Sequence, residues 1–163
     1  MTEYRSAIGQ DSHRFAPEGT EGCARLGGVP FPDAPPFLAN SDGDVVLHAV
    51  TNAVSGITAK NVLGARADAI CQSGVRDSAA YLSEALRDLA EAGYEAVNLS
   101  ESIECARPII APKTEEMREK IADLFGLLPS DIGITATTGE GLTAFGRGEG
   151  IQVFAILTCK RCV

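Results

Sequence analysis

Leu38-Ala39-Asn40-Ser41-Asp42-Gly43-Asp44-Val45-Val46-Leu47-His48 is the stretch from which the fold can be worked outward. Small and polar residues lead into two carboxylates, and an apolar run carrying a histidine follows. Ser41 or Asp42 is the expected N-cap, since a short side-chain oxygen there accepts an amide that the first helical turn leaves free. Val46, Ala49, Val50, Ala53 and Ile57 then recur at helical spacing, predicting a helix with one buried stripe. Asp44 and His48 stand one turn apart, on the same face.

The chain has two histidines. The other lies in Gly9-Gln10-Asp11-Ser12-His13-Arg14-Phe15, where the side-chain period of a strand puts Asp11 and His13 on one face. Arg5 to Ile8 reads as a short strand that delivers them at its end. Asp11, His13 and His48 would together supply two imidazoles and a carboxylate, the three-ligand set of an open zinc site. Histidines also serve as hydrogen-bonded structural residues and D-x-H is a short pattern, so spacing alone leaves both readings open. Asp44 could be a ligand, an orienter of His48, or a charge favoured at a helix N-terminus.

Outward from these stretches, Ala24 to Phe31 reads as a second strand kinked at Gly27-Gly28, and the four prolines from Pro30 to Pro36 predict an irregular connection. No periodicity is visible from Thr58 to Asp77, a long connection of the kind that is usually functional or mobile. Asp77-Ser78 caps an amphipathic helix with Leu82, Ala85, Leu86, Leu89 and Ala90 inward, stopped at Gly93. Val97, Leu99, Ile103 and Cys105 alternate as a half-buried strand, with Glu101 interrupting the apolar row. A helix from Thr114 to Gly126, a strand through Ile132, Ile134 and Ala136, and a last strand from Ile151 to Thr158 complete the chain. Strands mixed with helices in this order predict one α+β domain over residues 1–163: a two-layer sandwich, a mixed β-sheet with helices on one face. Self-association would cover the other face.

A net charge of −8 argues against a nucleic-acid surface. It does not exclude an anionic small substrate, because a bound cation and backbone donors set the local field. No apolar run reaches the roughly 20 residues of a membrane span, and the N-terminus is no signal peptide, so a cytoplasmic protein is the default. Cys159-Lys160-Arg161-Cys162 neither opens a helix nor has two further ligands nearby, which favours a structural reading over a redox or metal one.

Ala136-Thr137-Thr138-Gly139-Glu140 places hydroxyls and a carboxylate at a strand end beside a glycine-rich loop. Such a group can hold phosphate oxygens with a hard cation, or be a plain polar strand-to-loop transition. Gly146-Arg147-Gly148-Glu149-Gly150 has the glycine density for close backbone approach but not the spacing of a dinucleotide fingerprint.

Taken together and in order, these four stretches resemble the 2-C-methyl-D-erythritol 2,4-cyclodiphosphate synthase family of the non-mevalonate isoprenoid pathway. Gly9 to Phe15 is similar to its G-x-D-x-H-x-F opening, and Leu38 to His48 to its L-A-H-S-D-G-D-x-x-x-H segment. Ala136 to Glu140 is similar to A-T-T-x-E, and Gly146 to Ile151 to G-R-G-E-G-I. The resemblance implies a homotrimer with active sites between subunits. It implies zinc on Asp11, His13 and His48, and magnesium or manganese on Glu140. Thr137 and Thr138 would position the diphosphate, with Thr138 and Asn40 in the catalytic positions. Ser41 would lie near the erythritol portion, Asp68 and Pro108 in the substrate and cytidine loops, and Arg147 near the trimer axis, where an isoprenoid diphosphate can sit. The implied reaction cyclises 4-diphosphocytidyl-2-C-methyl-D-erythritol 2-phosphate with release of CMP.

The departures cluster around the substrate. Asn40 stands where the family commonly has a histidine, and Asn can donate a hydrogen bond but cannot carry positive charge. Lys60 to Ala69 replaces the family's G-D-I-G and F-P-D-x-D-P loop, with Asp68 the one clear match. Arg107-Pro108-Ile109-Ile110 keeps only the proline of A-P-K-M, Gly141 replaces a lysine, and Ala144-Phe145 stands where Phe-Thr is usual. These changes leave two other readings open: the same scaffold acting on a different nucleotide-diphospho-alditol phosphate, or a non-catalytic trimeric protein that binds metal or isoprenoid diphosphate.

Overall fold

The computed structural model describes residues 1–162. Strand β1 (Thr2–Arg14) pairs antiparallel with β6 (Gly150–Cys162), which pairs antiparallel with β4 (Glu95–Glu104), and β4 pairs parallel with β5 (Ile132–Thr137). The sheet is mixed, in the order β1-β6-β4-β5. Helices α1 (Val45–Thr58), α3 (Ser78–Glu91) and α4 (Thr114–Phe125) supply the other layer: α1 lies on β1 and β6, α3 on α1, and α4 carries the crossover from β4 to β5. The core between the layers includes Leu26, Leu47, Leu82, Ile103, Ile121 and Leu157. This is the expected α+β architecture.

Its boundaries differ from the expected ones for identifiable reasons. Strand β1 runs through Asp11 and His13 instead of ending before them, because β6 pairs with it from Thr2↔Cys162 to Arg14↔Gly150. The extra length is polar, with Glu3 held by Arg161 and Tyr94, so it gave no apolar alternation to read. Ala24 to Phe31 is a hairpin, not a kinked strand: β2 (Ala24–Leu26) and β3 (Val29–Phe31) are joined by Gly27 (φ 58°) and Gly28 (φ 79°). Two successive positive φ angles make the tight turn that suits strand twist. Pro30 falls inside β3, opposite Arg25.

The stretch from Thr58 to Asp77, expected as an irregular connection, contains helix α2 (Ala65–Gln72). Only Ala67 of that helix is buried, so no apolar stripe marks it. Ion pairs dock it instead. Arg66 reaches Asp88 at 2.5 Å and Glu84 at 3.3 Å on α3, and Lys60 reaches Asp88 at 3.3 Å and Glu91 at 3.2 Å. The Arg66 guanidinium, with Lys60 beside it, holds the Asp88 carboxyl below its ordinary range.

The row expected to be interrupted by Glu101 is interrupted in the core itself. Glu101 is 1 % exposed between Leu99 and Ile103 on the inward face of β4, and neither carboxyl oxygen has a hydrogen-bond partner among the described residues. Burial, with the nearby Asp44 charge adding to it, raises its pKa well above the ordinary carboxylate range. Cys159 is buried and Cys162 exposed on β6; three residues apart on a strand, they face opposite sides and share no site.

Candidate metal centre and active-site cavity

Close approach of α1 to β1 builds the centre. Gly9 lies under α1, where a Cβ would collide with the Ala49 carbonyl oxygen and the Ala53 amide. One turn on, Gly56 faces Ala7, whose Cβ would be 2.8 Å from a Cβ at Gly56. The contact brings His48, next to Ala49, over the inward face of β1. Asp11 and His13 occupy that face two and four residues after Gly9, as strand periodicity predicts.

Three potential ligand atoms meet there. Asp11 Oδ2 is 3.0 Å from His48 Nδ1 and 3.3 Å from His13 Nε2, and the two ring nitrogens are 3.0 Å apart. Four-coordinate zinc bonds of about 2.0–2.1 Å require ligand atoms about 3.3 Å apart, so the donor set fits a divalent transition metal in both chemistry and spacing. Burial lowers the pKa of His13 against the opposing pull of Asp11, favouring the neutral imidazole a metal needs.

Two residues that the sequence reading did not assign orient His48. Its Nε2 lies 2.8 Å from Ser78 Oγ, and the Ser78 hydroxyl donates to Asp42 Oδ1. Asp42 also accepts the amides of Ser78 (3.2 Å) and Asp44 (3.2 Å). The serine proton goes to the carboxylate, so Nε2–H donates to Ser78 and Nδ1 keeps its lone pair for the metal position. This outer hydrogen bond fixes tautomer and ring angle. By sequence both residues are cap candidates. Asp77 does cap α3, accepting the Ala79 amide at 2.9 Å, which leaves Ser78 free for His48.

The cap of α1 is neither Ser41 nor Asp42 but Asp44. Its buried carboxylate accepts from Leu47 N (3.1 Å), Gly27 N (2.9 Å) and Gly28 N (2.7 Å). It therefore turns away from the His48 face and clamps the β2–β3 turn to the helix start. Burial pushes its pKa up to about 6, with the three amides pulling the other way. Of the three roles open to Asp44, the charge at the helix N-terminus is the one it takes.

The triad opens into a cavity of about 340 Å³, lined also by Asn40, Ser41, Asp68, Cys71 and Tyr81. Asp68 and Cys71 come from α2, so the unanticipated helix forms one wall. Burial is the main reason that the Tyr81 hydroxyl is pushed up to about 12; it remains a phenol and donates to Val75 O at 3.2 Å. The other candidate residues do not line this cavity. Thr137 and Thr138 sit at the exposed end of β5, where their hydroxyls accept the amides of Gly139 (3.2 Å) and Glu140 (3.4 Å). Glu140 is exposed with φ 51°, and Arg147 pairs with Glu149 at 3.3 Å. Pro108 is buried beside Cys105, whose thiol faces its carbonyl at 3.6 Å.

The family model described as the YgbB family matches residues 4–160. The chain belongs to that family. It is 47 % identical over 156 residues to the 2-C-methyl-D-erythritol 2,4-cyclodiphosphate synthase of Chlamydia muridarum, covering 95 % of this chain and 87 % of the relative. The synthase of Chlamydia caviae is 45 % identical, with 95 % and 88 % covered. Among solved structures, the bifunctional IspDF from Campylobacter jejuni superposes with a TM-score of 0.88 at 27 % identity, over 99 % of this chain and 43 % of that one. A 2C-methyl-D-erythritol-2,4-cyclodiphosphate synthase in its CDP-bound form gives a TM-score of 0.80 at 28 % identity, covering 95 % of this chain and 99 % of that one. No helix of the YgbB-family chain is long and apolar enough to cross a membrane.

Proposed function

We propose that this chain converts 4-diphosphocytidyl-2-C-methyl-D-erythritol 2-phosphate into 2-C-methyl-D-erythritol 2,4-cyclodiphosphate and CMP, as a phosphorus–oxygen lyase of isoprenoid biosynthesis. The observation that carries this reading is the convergence of Asp11, His13 and His48 beside a cavity walled by Asn40, Ser41 and Asp68, in a member of this family. In the reaction an oxygen of the 2-phosphate bonds to the β-phosphorus. The bond from that phosphorus to the bridging oxygen breaks, and CMP leaves with the electron pair. No protein nucleophile is required, so the work of the chain is alignment and charge compensation.

Asp11, His13 and His48 would hold zinc, and Glu140 magnesium or manganese. Bound there, the two ions would supply Lewis-acid neutralisation of phosphate charge. Ser41 and Asn40 would donate hydrogen bonds to the substrate's phosphorylated alditol, and Asp68 would accept from its hydroxyls. Thr138, with Thr137, would orient the diphosphate. Pro108 would shape the cytidine pocket.

A homotrimer would complete the site. Thr137, Thr138, Glu140 and Pro108 lie away from the cavity of their own subunit, as groups serving a neighbour's cavity would. The outer face of the sheet also exposes Ile8, Phe154 and Ile156, aligned across β1 and β6. Arg147 would then stand near the trimer axis, in reach of an isoprenoid diphosphate. We place the enzyme in the cytoplasm, as one domain over residues 1–163.

Purified protein incubated with the cytidine substrate, zinc and magnesium is expected to yield CMP and the cyclic diphosphate in equal amounts. CMP with a linear phosphate product would replace cyclisation by hydrolysis. Absence of product from zinc-loaded trimers would overturn the enzymatic reading.

A further inference from the structure

The cavity at the metal centre has no Lys or Arg among its lining residues, although Asp11 and Asp68 both face it. A substrate with three phosphoryl groups therefore meets a wall that is anionic until a metal is bound. A second cavity, of about 700 Å³, adjoins the first by sharing Ala39, Asn40, Asp68 and Cys71, and one cation lines it: Arg76. Arg76 also lines a third, of about 360 Å³, together with Arg25, Ser41, Asp42 and Asp77. The ridge of exposed Asn40 and half-buried Ser41 is thus flanked by the metal centre on one side and by Arg76 on the other.

The Arg76 guanidinium has no hydrogen bond or ion pair among the described residues, despite two neighbouring carboxylates. Those carboxylates are otherwise engaged: Asp42 with the amides of Asp44 and Ser78 and with the Ser78 hydroxyl, Asp77 with the amide of Ala79. Lys60 and Arg66, the other cations near α2, are committed to Asp88, Glu84 and Glu91. The backbone of Arg76 is fixed from both sides. Its carbonyl accepts the Asp42 amide at 2.9 Å, and Ser78, two residues on, holds His48. An unpaired, exposed guanidinium on a backbone tied to the metal-centre scaffold is available to an anion arriving at that centre.

We infer that Arg76 is a phosphate-binding, specificity-determining residue, gripping a phosphoryl group of the substrate as it crosses the Asn40-Ser41 ridge. The inference rests on the proposed function for the identity of the substrate, but not for the presence of an anion subsite. Here Asn40 offers hydrogen bonds without charge, and Arg76 supplies the positive charge from the other side of the ridge.

The test compares wild type with Arg76→Ala and Arg76→Lys, and with Lys120→Ala on the exposed surface of α4 as a charge control. With the cytidine substrate, R76A is expected to raise KM about 10–100-fold with kcat within a few-fold, the range for losing a charge-assisted pair. R76K should recover part of the loss, and K120A should stay within about twofold of wild type, while zinc content is equal in all four proteins. An unchanged KM in R76A, with wild type active, overturns the subsite and leaves the proposed function standing. If wild type makes no product, inorganic diphosphate binding to the zinc-loaded proteins decides the subsite separately. About tenfold weaker binding by R76A supports it, and equal binding by R76A and wild type overturns it.

Discussion

Ser78 Oγ lies 2.8 Å from His48 Nε2 and gives its own proton to Asp42, so a serine at the start of one helix sets the ring of a histidine in another. Replacing Ser78 with Ala leaves the α3 cap on Asp77 intact and removes only this support. Zinc affinity of S78A should drop about 10–100-fold, as expected for loss of a hydrogen bond behind a metal ligand. Competition with a chromophoric chelator measures it. Wild-type affinity in S78A would remove Ser78 from the metal centre.

The three ligands should behave as one unit. His48→Ala and His13→Ala are each expected to lose stoichiometric zinc and product formation together. Chelation of the wild type should abolish turnover, and added zinc should restore it. Full zinc occupancy in His48→Ala, read by elemental analysis, would refute the assignment.

Glu101 should cost the fold stability. Its raised folded-state pKa means that both folded and unfolded chains are protonated in acid, where the ionisation part of the penalty is absent and only the cost of the unpaired neutral carboxyl remains. As pH rises past the ordinary carboxylate range, the unfolded chain ionises and the buried group resists, so stability falls with pH. Glu101→Leu should therefore be more stable than wild type near neutrality, by about 1–3 kcal/mol for removing an unsatisfied buried polar group. The gain should shrink on acidification toward pH 4. Urea unfolding of metal-free protein at several pH values reads both effects, and a pH-independent difference would contradict this account.

Asp88 should govern the wall of the cavity. Its carboxylate receives Arg66 and Lys60, and α2 buries too little apolar surface to dock without them. Asp88→Asn should speed hydrogen exchange of the amides in residues 65–72 and raise KM several-fold, leaving zinc content unchanged. The lowered folded-state pKa of Asp88 sets the sign of the pH effect. The docking contribution is present above the ordinary carboxylate pKa and disappears as pH falls through the folded value. Exchange rates equal to wild type in D88N would show that α2 is held by something else.

Elements with an apolar period were legible in the sequence, and those held by polar contacts were not. The stripe Val46, Ala49, Val50, Ala53, Ile57 placed α1 correctly, and every one of these residues is buried. Helix α2 escaped because ion pairs dock it, and those reach residues about 20 positions away, beyond any local window. The ends of β1 and β6 escaped because a long strand pairing tolerates polar side chains wherever the partner supplies the hydrogen bonds. In the site, Asp11, His13 and His48 were legible as candidates because ligand chemistry restricts residue type, and the structure brings the three together. The Asp42–Ser78 support was missed because short polar residues at helix starts are usually caps. Asp44 caps α1, a role that its one-turn spacing to His48 leaves as one of three in the sequence.

The contact of Gly9 with Ala49 has an evolutionary corollary. Two of the ligands belong to a strand and the third to a helix, and their separation is gauged by a hydrogen atom standing where any other residue would put a carbon. Substitution there would act as a wedge, moving His48 away from Asp11 and His13 without altering any of the three. A descendant of this chain could keep Asp11, His13 and His48 and still lose the geometry a metal would need, so inheritance of the candidate centre is better judged by position 9 and the three residues together than by the three alone.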